Sequence, residues 1–302
     1  MIENLREPIS NIMNMQHFDD VAIGIIDFKS KKFETLEWHE GHFVDSRYER
    51  YFFDLASLTK PLTLASAYLL DPSKFTPQMQ LLLNHRAGIT SGGRISATNW
   101  REYINNFKII ESPTLYSDYS ALRAMLEIEK VYNRDLYSVS SYFWDKELIH
   151  WSDILEPERS PITGVRRKRL IQGVVHDDNA YYLGEKVSHA GLFSTIEGLC
   201  QSLLNLDKKT KMLEVMERDF SSKHERFLNG WDTVTDPEES LAGSGCSLKT
   251  FGHLGFTGTS IWIDCEKARG AVILSNATKN YWYDRKGLTI LRKELGQLIW
   301  SQ

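Results

Sequence analysis

A serine and a lysine three positions apart stand at the head of a strongly apolar segment. The stretch FDLASLTKPLTLASAYLL begins at Phe53 and is almost continuously apolar from Leu62 onward, which predicts a buried helix. Side chains three residues apart share one face of a helix, so Ser57 and Lys60 are expected to exchange a hydrogen bond. Pro61 favours the first helical turn for both, because a proline deeper in a helix removes a backbone hydrogen bond.

This spacing suits nucleophilic chemistry. The unpaired N–H groups and the dipole at a helix start stabilise the negative charge of an ionised serine or an attacked carbonyl. A lysine normally has a pKa of about 10.4, and burial is expected to lower the pKa of Lys60 so that it accepts the proton of Ser57. The alternative is that two common residues share this spacing by chance.

Two later segments contain further groups that can transfer protons. Tyr116 lies in PTLYSDYSALRAMLEIE, directly before a predicted helix, and a tyrosine near a lysine can relay a proton to a leaving group. His253 lies in FGHLGFTGTSIWID on a predicted strand, where neighbouring glycines let a ligand approach the backbone. Taken alone, a tyrosine or a histidine in such a position is more often structural than catalytic.

The periodicity of apolar residues predicts the elements that position these groups. We expect an opening helix before Gln16, then a β-hairpin of VAIGIIDF and KFETLEWHEG that turns at Lys31. The middle of the chain is mainly helical, and SLKTFGHLGF, SIWIDC and GAVILSN predict an antiparallel meander. A closing helix, LTILRKELGQLIW, is expected to pack on the sheet through Leu288, Leu291, Leu295 and Leu298.

The predicted fold is therefore α/β of the α+β type, with an antiparallel sheet flanked by helices and an inserted helical region. We expect residues 1–55 and 190–302 to form a discontinuous sheet domain. Residues 56–189 are expected to form the mainly helical region that carries SLTK and YSD.

Composition restricts the partners. The chain has 302 residues, of which 42% are hydrophobic and 25% charged, with a formal charge of −4. This balance indicates a globular protein and argues against nucleic acid or an anionic membrane as partner, so a small molecule or peptide is the expected substrate. The N-terminal MIENLREPIS lacks an apolar signal region and no run reaches membrane-spanning length, so a cytoplasmic location is expected. The oligomeric state is left open.

Metal and disulfide chemistry are not expected. The three cysteines, Cys200, Cys246 and Cys265, lack CxxC spacing and are predicted to be reduced core thiols. In VHDDNA, His176 and Asp177 raise the alternative of a metal site, but the spacing favours a loop that lines the cleft. No cofactor is expected.

Taken in order, SLTK, LLLNHRAGI, YSD and HLG resemble the motifs of serine hydrolases that include class C β-lactamases, low-molecular-weight penicillin-binding proteins and related esterases. The segments VHDDNAYYLGEKVSHAGLFST, NGWDT and FGHLGFTGTSIWID are similar to the branch related to penicillin-binding protein 4B. The resemblance extends over most of the chain from Phe53 and implies a β-lactamase/transpeptidase-like fold.

The resemblance also implies the roles of the site residues. Ser57 would form the acyl-enzyme, with Lys60 and Tyr116 sharing the proton transfers and His253 where relatives have lysine or histidine. The backbone N–H groups of Ser57 and Phe256 would form the oxyanion hole. No metal is implied.

Substrate binding is expected to involve further residues of the same motifs: Asp118, Leu254, Gly255, His176 and His189. Asp118 occupies the third position of the tyrosine motif, where the 4B-like branch commonly has aspartate. Leu254 stands where relatives usually have threonine or serine, and leucine cannot donate a hydrogen bond to a substrate carboxylate. We therefore expect a preference for uncharged esters or amides. His189 could position substrate or only fix its loop, and His85 is expected to be structural.

The basic run RRKR at 166–169 is expected to be a solvated face. The predicted function is hydrolysis of an ester or amide through an acyl-enzyme at Ser57, with a D-alanyl cell-wall peptide or a small ester as substrate. The alternative is a catalytically silent relative that binds a cell-wall peptide or sugar.

Overall fold

The computed structural model describes residues 2–45, 49–222, 225–280 and 286–301. Its α-helices are α1 Arg6–Met13, α2 Ser66–Leu70, α3 Pro77–Leu83, α4 Trp100–Asn105, α5 Asp118–Tyr132, α6 Leu136–Ser140, α7 Asp178–Leu183, α8 Ile196–Thr210, α9 Met212–Asp219 and α10 Lys286–Trp300. Its strands are β1 Asp20–Asp27, β2 Lys32–His39, β3 His42–Val44, β4 Phe53–Asp54, β5 Leu148–His150, β6 Gly164–Arg166, β7 Arg169–Ile171, β8 Leu192–Ser194, β9 Phe227–Leu228, β10 Trp231–Thr233, β11 Thr250–Leu254, β12 Ser260–Asp264 and β13 Arg269–Ser275.

Strands from both ends of the chain form one sheet of eight strands in the order β3-β2-β1-β13-β12-β11-β10-β9. Each neighbouring pair is antiparallel. The predicted hairpin is confirmed as β1 and β2, with Lys31 in the left-handed region at φ 56°. The predicted meander is confirmed as β11, β12 and β13.

The central strand β1 is buried on both faces, which explains its nearly continuous apolar sequence. Val21 and Ile23 belong to the core that includes residues of α1 and α10, whereas Ala22 and Ile26 belong to the core that includes residues of α8. Alternate residues of a strand point to opposite faces, so helices cover the sheet on both sides. At Gly24 an added Cβ would lie 2.4 Å from Sγ of Cys200, so glycine lets α8 approach closely.

The closing helix packs on the sheet as predicted, but one of its four predicted core leucines was assigned wrongly. Leu288, Leu291 and Leu295 are buried, whereas Leu298 is 37% exposed. Ile299 takes the buried position instead. A period of 3.6 residues places the residue four positions after Leu295 on the buried stripe, and the residue three positions after it at the edge of that stripe.

The strands of two smaller sheets come from the part of the chain between β3 and β9. One has the order β4-β8-β5 and joins the strand before Ser57 to the strand after His189. The other is the hairpin β6–β7, which contains the basic run. Among the described residues, no helix is both long and apolar enough to cross a membrane.

Candidate active site

Ser57 lies in a short 3-10 turn, Ala56–Leu58, directly after strand β4. The chain continues through a π-helical segment, Pro61–Ala65, into α2. The residue before the serine, Ala56, has φ 48°, a left-handed conformation that is uncommon for residues other than glycine. Unusual backbone conformations persist only where surrounding contacts hold them, and they occur often at functional sites.

Asp54 supplies one of those contacts. Its Oδ1 accepts a hydrogen bond from the backbone N–H of Ala56 at 2.8 Å, and its Oδ2 accepts one from the N–H of His176 at 2.6 Å. Burial raises the pKa of Asp54 to about 7, although the two N–H donors favour the ionised carboxylate. This buried carboxyl group joins the serine turn to the loop at His176, a role that the sequence alone did not indicate.

Lys60 is buried and contacts the nucleophile candidate directly. Its Nζ lies 3.0 Å from Oγ of Ser57, as the spacing predicted. Nζ also donates to the backbone oxygen of His189 at 3.3 Å and forms an ion pair with Oδ1 of Asp118 at 2.7 Å. The lysine therefore has three partners, one of which is a carboxylate.

The expected lowering of the Lys60 pKa is wrong. Burial does disfavour the ammonium, but the Asp118 carboxylate and the nearby Tyr116 hydroxyl outweigh it, and the pKa is raised above its ordinary value. Conversely, burial would raise the pKa of Asp118, but the charge of Lys60 lowers it. Lys60 is charged at neutral pH, and its ammonium group donates separate N–H bonds to Asp118 and Ser57.

Tyr116 lies beside this pair, with its ring centroid 4.8 Å from Nζ of Lys60. His85 fixes the tyrosine loop: its backbone oxygen accepts from the N–H of Leu115 at 2.7 Å, and its Nδ1 accepts from the N–H of Ser117 at 3.2 Å. The His85 ring also packs on Tyr116 at a centroid distance of 4.6 Å. The structural role expected for His85 is thus the positioning of Tyr116.

His253 lies on β11 and packs against Tyr116, with the centroids of the two rings 5.9 Å apart. Its Nδ1 donates to the backbone oxygen of Leu254 at 2.9 Å, which leaves Nε2 without a proton. Burial and the charge of Lys60 lower the pKa of His253 to about 3, so the imidazole is neutral. Nε2 is buried and has no hydrogen-bond partner among the described residues.

The turn after β11 is held against the segment that precedes Ser57. The Oγ1 of Thr257 donates to the backbone oxygen of Asp54 at 2.7 Å, and the Oγ1 of Thr259 donates to that of Leu55 at 3.1 Å. At Gly255 an added Cβ would lie 1.8 Å from Oγ1 of Thr259, so no side chain fits there. These contacts bring the backbone at Phe256 to the cavity that Ser57 lines.

That cavity has a volume of about 780 Å³. Five of the predicted site residues line it: Ser57, Asp118, His176, His189 and Phe256. Lys60 contacts Ser57, Tyr116 packs beside Lys60, and His253 packs against Tyr116. The structure therefore brings nearly all of the predicted residues together.

Leu254 is the exception. Its side chain packs against the core on the opposite face of the sheet and lines a separate cavity of about 200 Å³ with Arg226, Asp232 and Trp262. Adjacent strand residues point to opposite faces, so Leu254 faces away when His253 faces the site. Leu254 was expected among the substrate-binding residues, but its side chain does not line the Ser57 cavity.

The segment at His176 forms a wall of the cavity. Nε2 of His189 lies 3.0 Å from Oδ1 of Asp177, which also accepts from the N–H of Ala180 at the start of α7. Burial would raise the pKa of Asp177, but the His189 contact lowers it below the ordinary range. Nδ1 of His176 pairs with Oγ1 of Thr163 at 3.2 Å. Within the described ranges, no group of three or more His, Cys, Asp or Glu side chains has a metal-binding arrangement.

The basic run is not simply a solvated face. Arg166 ends β6, Arg169 begins β7, and Arg167 and Lys168 form the turn with φ values of 49° and 65°. Arg166 and Arg167 line the same cavity as Ser57. The sequence did not indicate this placement, because the hairpin reaches the cavity only through tertiary contacts.

Comparison with known structures identifies the fold. The chain superimposes on a β-lactamase from Mycobacterium bovis with a TM-score of 0.61 and 15% identity, covering 96% of this chain and 97% of that one. A β-lactamase/D-alanine carboxypeptidase from Pseudomonas syringae gives a TM-score of 0.66 at 13% identity, with coverage of 96% and 98%. The D-alanine carboxypeptidase AmpC from Burkholderia cenocepacia gives 0.65 at 14% identity, with coverage of 98% and 99%.

The predicted β-lactamase/transpeptidase-like fold is thereby confirmed. In sequence, the chain is similar to an N-acetylmuramyl-L-alanine amidase from Bacillus subtilis, with 34% identity over 124 residues. The match covers 36% of this chain and spans only 27% of the length of that amidase. No protein-family model matches the chain.

Proposed function

We propose that this chain is a serine hydrolase that cleaves an ester or amide bond through an acyl-enzyme at Ser57. The observation that carries the proposal is the 3.0 Å contact between Nζ of Lys60 and Oγ of Ser57 beside a substrate-sized cavity. A lysine ammonium at this distance stabilises the serine oxygen as it loses its proton.

The proton acceptor follows from the charge of Lys60. Lys60 and Tyr116 together can accept the proton of Ser57 only if one of the two side chains is deprotonated beforehand. Because Asp118 stabilises the ammonium of Lys60, we assign the role of proton acceptor to Tyr116. Tyr116 therefore accepts the proton as Oγ bonds to the carbonyl carbon and returns it to the leaving group as that bond breaks. Water then attacks the acyl-enzyme, releases the acid and restores Ser57.

The oxyanion of each tetrahedral intermediate requires donors that are fixed in advance. We assign this role to the backbone N–H groups of Ser57 and Phe256. The contacts of Thr257 and Thr259 with the backbone at 54–55 support it, because they fix the spacing of the two segments.

The comparisons support amides as one substrate class. The proteins of this fold are named as β-lactamases and D-alanine carboxypeptidases, and the partial sequence relative is named as an N-acetylmuramyl-L-alanine amidase. D-Alanyl cell-wall peptides and small esters are the two classes to test first. The branch related to penicillin-binding protein 4B remains a proposed affiliation.

Covalent labelling tests the proposal. A fluorophosphonate or an acylating substrate should add one mass at Ser57, located by peptide mapping, and Ser57→Ala should abolish the label. For an ester that the enzyme hydrolyses, Ser57→Ala should lower kcat by roughly 10³- to 10⁶-fold. The exposed Ser73→Ala is the matched control and should keep both label and activity. A label that survives Ser57→Ala refutes the proposal, and substrate binding without label or turnover would indicate the silent relative instead.

A further inference from the structure

Two arginine side chains flank one tyrosine ring at the edge of the Ser57 cavity. The guanidinium carbon of Arg94 lies 4.3 Å from the ring centroid of Tyr182, and that of Arg167 lies 5.3 Å from it. All three side chains line the cavity. Stacking on an aromatic face holds a guanidinium in place while leaving its N–H donors free to bind a ligand.

The charges around this ring do not balance. Asp178 is the neighbouring carboxylate, and its Oδ1 accepts from Nε of Arg166 at 2.7 Å. Its Oδ2 lies 3.6 Å from Arg94, a distance too long for a strong hydrogen bond. Arg167 has no ion pair in the part of the chain that the structure describes. The carboxylate of Asp178 therefore contacts the guanidinium groups of Arg166 and Arg94, and Arg167 adds a further positive charge beside the Tyr182 ring.

The other charged groups of the cavity have their own partners. Asp118 pairs with Lys60 and Asp177 pairs with His189. Arg166 is mostly buried, and its Nη2 donates to the backbone oxygens of Val175 and His176, so it anchors the hairpin. Lys279 also lines the cavity and pairs with Asp19. Among the described residues that line the cavity, Arg94 and Arg167 are the arginines left with N–H donors for a ligand.

We propose that Arg94 and Arg167 bind a carboxylate of the acyl donor, at a point remote from the carbonyl that Ser57 attacks. A guanidinium presents paired N–H donors that match the two oxygens of a carboxylate. This inference rests on the proposed function and gives it a substrate class: acyl donors with an additional negative charge. It replaces the preference for uncharged substrates expected from Leu254, whose side chain lies outside the cavity.

Matched p-nitrophenyl esters test the inference. One pair is the hexanoate and the monoester of adipate, and the second is the octanoate and the monoester of suberate. The two pairs test two distances between the reactive carbonyl and the carboxylate. The enzyme should prefer the carboxylate-bearing member of at least one pair by roughly ten- to hundredfold in kcat/KM, as expected for charge-assisted hydrogen bonds. Arg167→Gln and Arg94→Gln should each reduce that ratio at least about fivefold.

Arg169→Gln is the control, because this exposed arginine lies on the same hairpin but does not line the cavity, and the ratio should not change. Hydrolysis that depends on Ser57 but shows no preference in either pair overturns the inference and leaves the proposed function intact. Equal losses in Arg167→Gln and Arg169→Gln also overturn it.

A binding measurement keeps the inference testable if turnover is not found. In the Ser57→Ala background, calorimetry should show tighter binding of the suberate monoester than of the octanoate, and Arg167→Gln should remove the difference. If the suberate monoester exceeds the octanoate in affinity by the same factor with and without Arg167→Gln, or does not exceed it at all, the carboxylate site is refuted whatever the outcome for catalysis.

Discussion

The ammonium nitrogen of Lys60 lies 2.7 Å from Oδ1 of Asp118, so the lysine beside Ser57 is held in its charged form by a carboxylate from the start of α5. The pKa of Lys60 is raised by this contact in spite of burial. A base that is always protonated cannot accept the serine proton, and this single ion pair therefore decides the direction of proton transfer in the proposed mechanism.

Asp118→Asn should change the pH profile of kcat/KM, because the charge of Lys60 depends on the Asp118 carboxylate. Without the carboxylate, the pKa of Lys60 falls, because burial then dominates. The ammonium is lost at lower pH, so the alkaline limb of kcat/KM should move to lower pH by at least about one unit. Profiles for a neutral ester, measured for both proteins, check the shift.

Glu239→Gln serves as the control, since Glu239 is an exposed carboxylate paired with Lys293. Its alkaline limb should match that of the unchanged protein. An Asp118→Asn enzyme that is active with an unmoved alkaline limb would mean that Lys60 does not act as the ammonium.

The sheet could be predicted because strand periodicity is a local signal. The β1–β2 hairpin and the β11–β13 meander follow from runs of β-branched and aromatic residues between turn residues. Leu298 was assigned wrongly to the core, because the buried stripe of Leu288, Leu291 and Leu295 continues at Ile299, four residues after Leu295. The division into residues 1–55 with 190–302 and residues 56–189 remains a prediction.

The site could be predicted only where motif spacing fixes geometry. Ser57 and Lys60 meet because they are three residues apart, whereas Asp54 acquires its role when the His176 loop approaches from far along the chain. The face of Leu254 was available from the sequence, because strand alternation excludes it once its neighbour His253 is assigned to the site. The raised pKa of Lys60 was not available, since it depends on the distance to Asp118.

His85→Ala should impair catalysis by releasing the loop that holds Tyr116. The substitution removes the Nδ1 acceptor for Ser117 and places alanine at φ 53°, so kcat should fall by roughly ten- to hundredfold. His85→Asn should recover most of kcat, because asparagine tolerates the left-handed region and offers an acceptor oxygen. Steady-state kinetics on proteins of matched folded fraction check this. Equal kcat in the two variants would show that the acceptor does not position Tyr116.

Leu254→Thr should leave substrate preference nearly unchanged. The Leu254 side chain lines the smaller, separate cavity together with Arg226 and Asp232. A new hydroxyl there does not reach an acyl donor bound at Ser57. We expect kcat/KM for the paired esters above to stay within about threefold. The neighbouring His253→Leu, on the site face, should lower kcat/KM about tenfold or more, since it removes a group packed on Tyr116. A large gain for the carboxylate-bearing ester in Leu254→Thr would restore the original expectation.

Asp54→Asn should destabilise the protein in a pH-dependent way. An asparagine can accept from the N–H of Ala56 or of His176 but presents its NH₂ group to the other, so about 1–3 kcal/mol of unfolding free energy should be lost at low pH. In the unchanged protein the folded pKa of about 7 lies above the ordinary 3.8. The folded state therefore binds more protons than the unfolded state between these values, and stability from this group falls as the pH rises through that window.

The asparagine variant lacks this titration, so its stability relative to the unchanged protein should rise by roughly 2–3 kcal/mol between pH 5 and pH 8. Urea unfolding at both pH values measures it, and contributions from other titrating groups cancel because they are common to both proteins. Asp27→Asn, at the half-buried end of β1, is the control and should show no such change between these pH values, because the pKa of Asp27 is lowered rather than raised. A difference that stays constant, or widens with rising pH, would mean that Asp54 is ionised in the folded protein throughout this range.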